Sequence, residues 1–173
     1  MKNKEIIGIF IRYLVILIAG LGNLYVFYKI FTPVTLNLVD FLLNLFGSTI
    51  LIENIIIFER VIIELIPACV AGAGYYLLFI LSMSVKDIKI DKRIILILCS
   101  FAGLLVLNVL RILFLISINS FIYFEEIHAL FWYGLSTIFV VLIWVSLVRI
   151  FKIKSIPVYS DFKFLIGLMR KSK

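Results

Sequence analysis

The chain has 173 residues, of which 64% are hydrophobic, and a formal net charge of +7. A mean hydropathy of +1.22 excludes a soluble globular domain, in which roughly half of the residues are apolar. The basic residues flank apolar stretches rather than form a polar face, which excludes nucleic-acid binding and is typical of topology control in a membrane protein.

Four apolar stretches, at about 6–28, 67–85, 94–118 and 128–148, can each cross a hydrocarbon core of about 30 Å, which takes roughly 20 helical residues. The first follows Lys2 and Lys4 as in a signal peptide, but it is too long and no small-residue cleavage site follows it. We therefore expect a retained helix. The sequence predicts an α-helical membrane bundle of about four transmembrane helices, in a single domain covering residues 1–173.

Between the first two spans, the segment from about 34 to 46 carries a polar stripe. Asn37, Asp40 and Asn44 recur at helical spacing in an otherwise apolar segment. This pattern predicts an interfacial helix that lies flat on the membrane.

The next apolar segment, 49–66, is too charged to span. It contains Glu53, Glu59, Arg60 and Glu64, and each charge at a helix centre costs roughly 2.5–3.5 kcal/mol on insertion. Its isoleucines and valines favour strands, and the polar pairs at 53–54 and 59–60 divide it into short pieces. We therefore predict a small extracytoplasmic β-meander.

The last segment, 149–173, mixes large apolar and basic residues and is expected to lie as a cytoplasmic tail along the anionic inner surface. Lys and Arg also set the orientation, because cytoplasmic loops hold their excess. With both termini inside, the outer segments keep only Lys29 and Arg60, and the other loop and terminal basic residues face the cytoplasm. The sequence predicts a multi-pass protein of the cell membrane with both termini cytoplasmic.

Three chemically distinctive residues then fall at one depth. At ~1.5 Å of rise per helical residue, Cys69, Arg111 and His128 lie ~26, ~27 and ~32 Å from the basic residues that mark the inner ends of their helices. Against a core of about 30 Å, all three are expected at the outer leaflet.

Each of the three also has a structural explanation when it is taken alone. A lone cysteine is usually a small apolar residue, as we expect for Cys99. Arg111 could extend to the outer headgroups, and His128 could be an ordinary interfacial residue. Neither cysteine belongs to a zinc or disulfide pattern, so no metal or cofactor is expected.

Together, the three residues indicate acyl transfer. A cysteine attacks a carbonyl as the thiolate, which a base and a cationic neighbour favour. His128 could take the thiol proton and later donate it to the leaving amine, while Arg111 could stabilise the oxyanion. Asn108, one turn before Arg111, could orient the guanidinium or bind substrate, or it could simply form a hydrogen bond between helices.

At these residues the sequence resembles the exosortase/archaeosortase family of membrane transpeptidases. The resemblance runs from about Thr32 to Trp144 and includes the segment Ala68-Cys69-Val70-Ala71, the segment Asn108-x-x-Arg111-Ile112, and His128 at the start of the last helix, with Gly134 shortly after it. Many members carry glycine two residues after the cysteine, where this chain has Ala71. The family's proposed catalytic triad would fall on Cys69, Arg111 and His128.

The resemblance implies an enzyme that cleaves C-terminal sorting signals of secreted proteins at the extracytoplasmic face. Such signals combine a short motif, a transmembrane helix and a basic tail, and the cleaved protein passes through a cysteine thioester to a lipid or other acceptor. Two alternatives stay open: a non-enzymatic membrane protein in which Arg111 pairs with an acid such as Glu125 or Glu126, and a simple cysteine protease that uses water as the acceptor.

Overall fold

The computed structural model describes residues 2–59, 61–86, 88–119, 122–131, 134 and 136–171; Arg60 is therefore outside the described residues. The helices are α1 (Lys2–Gly20), α2 (Tyr25–Asn44), α3 (Pro67–Val70), α4 (Gly72–Met83), α5 (Ile90–Ser117), α6 (Phe124–Leu130), α7 (Ser136–Ile150) and α8 (Tyr159–Lys171). The strands are β1 (Thr49–Ile52), β2 (Ile55–Phe58) and β3 (Val61–Glu64). The structure confirms a mostly helical chain with one small sheet.

Two helices, α2 and α5, are long and apolar enough to cross a membrane. Helix α5 matches the predicted span 94–118 and extends it by four residues at its start. Helices α4 and α7 are apolar but shorter. Among the described residues there are thus two candidate spans, and only α5 corresponds to one of the four spans that the sequence predicts.

The first predicted span, 6–28, is wrong beyond Gly20. Helix α1 ends there, and Gly22, Asn23 and Leu24 take left-handed backbone conformations with φ of 68°, 54° and 62°. Glycine adopts such angles without strain and asparagine tolerates them, so the Gly-Asn pair stops the helix.

The predicted interfacial helix at 34–46 is also wrong as a separate element. It is the second half of α2, because the chain resumes a helix at Tyr25 and continues through Pro33 to Asn44. Lys29, predicted in an outer segment, belongs to this helix, with its ammonium 5.7 Å from the Tyr25 ring. The buried face of α2 packs against α4 and α5, which explains why it forms one continuous helix.

The second and fourth predicted spans are each divided in two. Ala71 has φ 60° and separates α3 from α4 within the predicted span 67–85. The predicted span 128–148 begins inside α6 and continues as α7 after an interval of which residues 131 and 134 are described. Only α5 runs through its predicted span as a single regular helix.

Helices α1 and α2 both lie beside α4 and run in the direction opposite to it. Arg12 of α1 donates to the carbonyl of Val85 just past the end of α4, at 2.8 Å, whereas Tyr76, earlier in α4, donates to the carbonyl of Ile16 at 3.2 Å. Phe31 of α2 stacks on Tyr75 with ring centroids 3.6 Å apart. Both helices are therefore antiparallel to α4, and together they continue in one direction.

The predicted β-meander is confirmed. The strands form an antiparallel sheet in the order β1-β2-β3, with Ile52 opposite Ile55 and Phe58 opposite Val61. Ile56, at the centre of the sheet, is fully buried in a cluster with apolar residues of α2 and α5. The sheet is thereby fixed against the two longest helices.

Helix α8 anchors the predicted tail. Asp161, which is 1% exposed, accepts two hydrogen bonds from one guanidinium nitrogen of Arg12, at 2.9 and 3.0 Å. An ion pair therefore joins the first helix to the last.

Candidate functional site

Cys69 lies on α3, a single turn between the sheet and α4. Pro67 occupies the first helical position, where a missing N–H is tolerated, and the N–H of Cys69 donates to the carbonyl of Ile66 at 2.8 Å. Ala71 then ends the turn in the left-handed conformation. The thiol is half-buried, whereas the other cysteine, Cys99, is exposed on α5.

Two polar side chains of α5 bind the main-chain carbonyl of Cys69. The Nδ2 of Asn108 donates to it at 2.7 Å, and Nη2 of Arg111 donates to it at 3.3 Å. Asn108 and Arg111 are 2% and 7% exposed. The side chain of Arg111 is thus buried in the bundle and does not extend to the headgroups. Asn108 forms the hydrogen bond between helices that the sequence left open as an alternative.

The guanidinium of Arg111 also contacts α7. Its Nη1 donates to the hydroxyl of Ser136 at 2.8 Å, and that hydroxyl donates to the carbonyl of Phe131 at 2.8 Å. The Nε of Arg111 is buried without a partner among the described residues. Three chain segments therefore meet at this one side chain.

Sequence reasoning missed Ser136. The available signal was a hydroxyl residue inside an apolar span, eight positions after His128. Such residues form hydrogen bonds between membrane helices, and an arginine at similar depth is a natural partner.

His128 lies in the last turn of α6, with its ring stacked on Phe124 at a centroid distance of 5.7 Å. Helix α6 is short and directs both rings to one cavity. The cavity has a volume of about 360 Å³.

All three proposed catalytic residues line this cavity. Cys69 lies at one end of the β3–α3 wall, which is formed by residues 61–66 and Cys69. A second wall consists of four residues of α5 and one residue shortly after it, and a third contains Phe124 and His128; the second wall is formed by Arg111, Ile112, Leu115, Ile116 and Asn119. Residues that are 42 and 59 positions from Cys69 in sequence are thus brought to one concave site. Asn108 lies behind it, on the Cys69 carbonyl.

The structure gives Arg111 no carboxylate partner among the described residues, Glu125 and Glu126 included. The acid pairing considered for a purely structural arginine is therefore not the arrangement in this part of the chain. Within the same residues, no three His, Cys, Asp or Glu side chains come together as a metal site.

Comparisons with known proteins add no family assignment. No protein-family model matches the chain, and neither a curated protein nor a solved structure matches it. The likeness to the exosortase/archaeosortase family therefore rests on the motifs quoted above and stays a prediction.

Proposed function

We propose that this chain is a membrane-embedded cysteine transpeptidase that cleaves C-terminal sorting signals of secreted proteins and transfers them to a lipid or other acceptor. The observation that carries the proposal is the shared cavity of Cys69, Arg111 and His128. A nucleophile, a base and a cation from three separate segments line one concave site, which is the arrangement that acyl transfer requires.

The proposed reaction has two steps. His128 takes the thiol proton, and the Cys69 sulfur attacks the peptide carbonyl carbon while Arg111 stabilises the oxyanion. The amine leaves with the proton from His128, and a thioester remains. An amine or alcohol of the acceptor then attacks the thioester, its proton passes to His128, and the thiol of Cys69 is restored.

The proposed topology has four passes: α1 with the start of α2, α3 with α4, α5 alone, and α6 with α7. Five lysines, three from the α4–α5 loop region and two from the segment after α7, line a second cavity: Lys86, Lys89, Lys92, Lys152 and Lys154. This basic end lies ~27 Å along α5 from Arg111. A cytoplasmic basic end and an extracytoplasmic cavity follow if the excess of Lys and Arg sets the orientation.

The backbone at Ala71 also supports the proposal. Family members often have glycine at this position, and in this chain Ala71 has φ 60° and ψ 38°. Only glycine adopts this conformation without a steric penalty. A glycine preference there is what a one-turn helix carrying the nucleophile would produce.

The direct test uses cells that express the full chain. We expect Cys69→Ala to cause uncleaved accumulation of membrane-attached proteins that combine a short motif, an apolar helix and a basic C-terminal tail. Cys99→Ala is the matched control and leaves processing normal. Unchanged processing in Cys69→Ala cells would overturn the proposal. Mass spectrometry of the new C-terminus separates transfer to an acceptor from hydrolysis.

A second candidate is a non-enzymatic membrane protein in which Arg111 is structural. The observation that favours it is that Arg111 already binds Ser136 and the Cys69 carbonyl. Thiol reagents applied from outside then leave its function intact. Under the transpeptidase proposal the same reagents abolish processing, because they alkylate the nucleophile.

A further inference from the structure

Strand β3 forms a free edge of the sheet. The strand order is β1-β2-β3, and within the described residues no strand pairs with the far side of β3. Its residue Ile62 is 73% exposed. Edge strands present unpaired N–H and C=O groups that can pair with another extended chain.

The register identifies which backbone groups of β3 have no partner within the described residues. The N–H of Leu65 donates to the carbonyl of Asn54 at 2.9 Å, so this pair is hydrogen-bonded. Antiparallel pairs alternate between bonded and non-bonded. Val61 and Ile63 therefore bond to β2, and the backbone groups of Ile62 and Glu64 point to the free edge.

The cavity at Cys69 runs along this edge. Successive side chains of a strand point to opposite faces, so a cavity on one face would touch every second residue. This cavity touches all six consecutive residues from 61 to 66 and then Cys69. Six extended residues span about 20 Å. The groove is therefore long enough for a short extended peptide that ends beside the thiol.

We propose that an extended peptide adds to β3 as a fourth strand, hydrogen-bonded to the backbone of Ile62 and Glu64, so that its scissile carbonyl lies at Cys69. This inference rests on the proposed function, because the peptide is the substrate segment next to the cleavage point. Backbone pairing gives affinity that depends little on side chains, and the cavity walls supply the selectivity. Arg111 and His128 line the same cavity.

The test measures alkylation of Cys69 in the full chain carrying Cys99→Ala, which leaves one thiol. The peptide probe is a hexapeptide chloromethyl ketone of mixed side chains; the Cys69 sulfur displaces its chloride to form a thioether. Iodoacetamide does not pair with the edge strand, so its rate reports the reactivity of the thiol alone. We expect Ile62→Pro to lower the peptide rate by roughly five- to tenfold, the effect of one or two backbone hydrogen bonds, and to leave the iodoacetamide rate unchanged.

The matched control is Leu51→Pro, on the opposite edge. Ile56 and Phe58 bond to β3, so Ile55 and Ile57 bond to β1, and the N–H of Leu51 points away from the sheet. Proline is tolerated at such edge positions. We expect Leu51→Pro to leave both rates unchanged, and a peptide rate that is equal in Ile62→Pro and Leu51→Pro would overturn the inference.

A second measurement keeps the native edge and changes the probe. N-methylation of alternate residues removes the donors of one side of an extended peptide. We expect slower labelling when the methylated residues are those that face β3, and no change when they are those that face away from it. Equal effects of the two methylation patterns would contradict edge pairing. The proposed function fails separately if His128→Ala leaves the iodoacetamide rate of Cys69 unchanged.

Discussion

The side-chain amide of Asn108 donates a 2.7 Å hydrogen bond to the main-chain carbonyl of Cys69. This bond ties the one-turn helix α3 to α5. Arg111 donates to the same oxygen at 3.3 Å, so the segment carrying the thiol is held by two buried side chains of one helix face. The position of Cys69 therefore depends on Asn108, which lies behind the cavity, as well as on Arg111, which lines it.

Replacing Asn108 tests this dependence. Asn108→Leu keeps the number of side-chain heavy atoms and the branching at Cγ and removes the donor, which leaves the Cys69 carbonyl with the longer bond from Arg111. We expect a loss of about 1–3 kcal/mol in the free energy of unfolding, measured in detergent, because a buried polar group loses its main partner. Val106→Leu introduces the same residue at an exposed position of the same helix and serves as the control, with little expected change. Equal unfolding free energies of the two variants would contradict a stabilising role for the hydrogen bond between Asn108 and the Cys69 carbonyl.

Ser136→Ala removes the α7 contact of Arg111. The Nη1 donor is then buried without its partner, so we expect a loss of about 1–3 kcal/mol in unfolding free energy and slower processing. Ser117 offers the control, because its exposed hydroxyl bonds only to Phe114 within its own helix. Ser117→Ala is expected to change the unfolding free energy by less than about 0.5 kcal/mol. A smaller effect at Ser136 than at Ser117 would mean that the Arg111 contact contributes nothing to stability.

Arg111→Lys separates shape from charge. A lysine ammonium cannot reproduce the planar fork that contacts Ser136 and the Cys69 carbonyl together. We expect processing to fall by at least about tenfold even where the protein still folds, as checked by its thermal unfolding in detergent. Full activity of a well-folded Arg111→Lys variant would favour the structural interpretation of this residue.

Substitutions at the adjacent small residues Ala71 and Gly72 are expected to change the unfolding free energy in opposite directions. Ala71→Gly relieves the left-handed strain at φ 60° and is expected to raise the unfolding free energy by about 1 kcal/mol. Gly72→Ala is expected to lower it, because a Cβ there would lie 2.6 Å from a ring carbon of Tyr28. Unfolding in detergent measures both, and a stabilising Gly72→Ala would contradict the packing described.

Asp161→Ala breaks the ion pair between α1 and α8. Arg12 keeps its bonds to the carbonyls of Met83 and Val85 but loses its carboxylate partner. We expect a loss of about 2–3 kcal/mol, below the usual cost for a fully buried pair because Arg12 is partly exposed. Limited trypsin digestion should then cut faster at Lys163. Asp91→Ala, at an exposed position in the first turn of α5, is the control and should leave the digestion rate unchanged.

The sequence was sufficient to predict the structural features that depend only on position along the chain. The rise per residue placed Cys69, Arg111 and His128 at one depth, and they line one cavity. Charge in an apolar segment predicted the strands of 49–66, which the structure contains. The break at Ala71 was missed, because a left-handed residue other than glycine is held there only by tertiary packing. The break after α1 was also missed, although the Gly22-Asn23 pair is a local signal for it. Ser136 was missed since partners across a bundle depend on helix rotation, which spacing alone does not fix.

The ion pair of Arg12 and Asp161 joins a residue that is synthesised early to one that is synthesised late. The carboxylate is added 149 positions after the arginine. Until then the arginine of the first helix has no acidic partner among the described residues, and α1 lacks its final anchor. A chain that lacks Asp161 therefore holds Arg12 only through main-chain carbonyls, and no ion pair joins its first helix to α8.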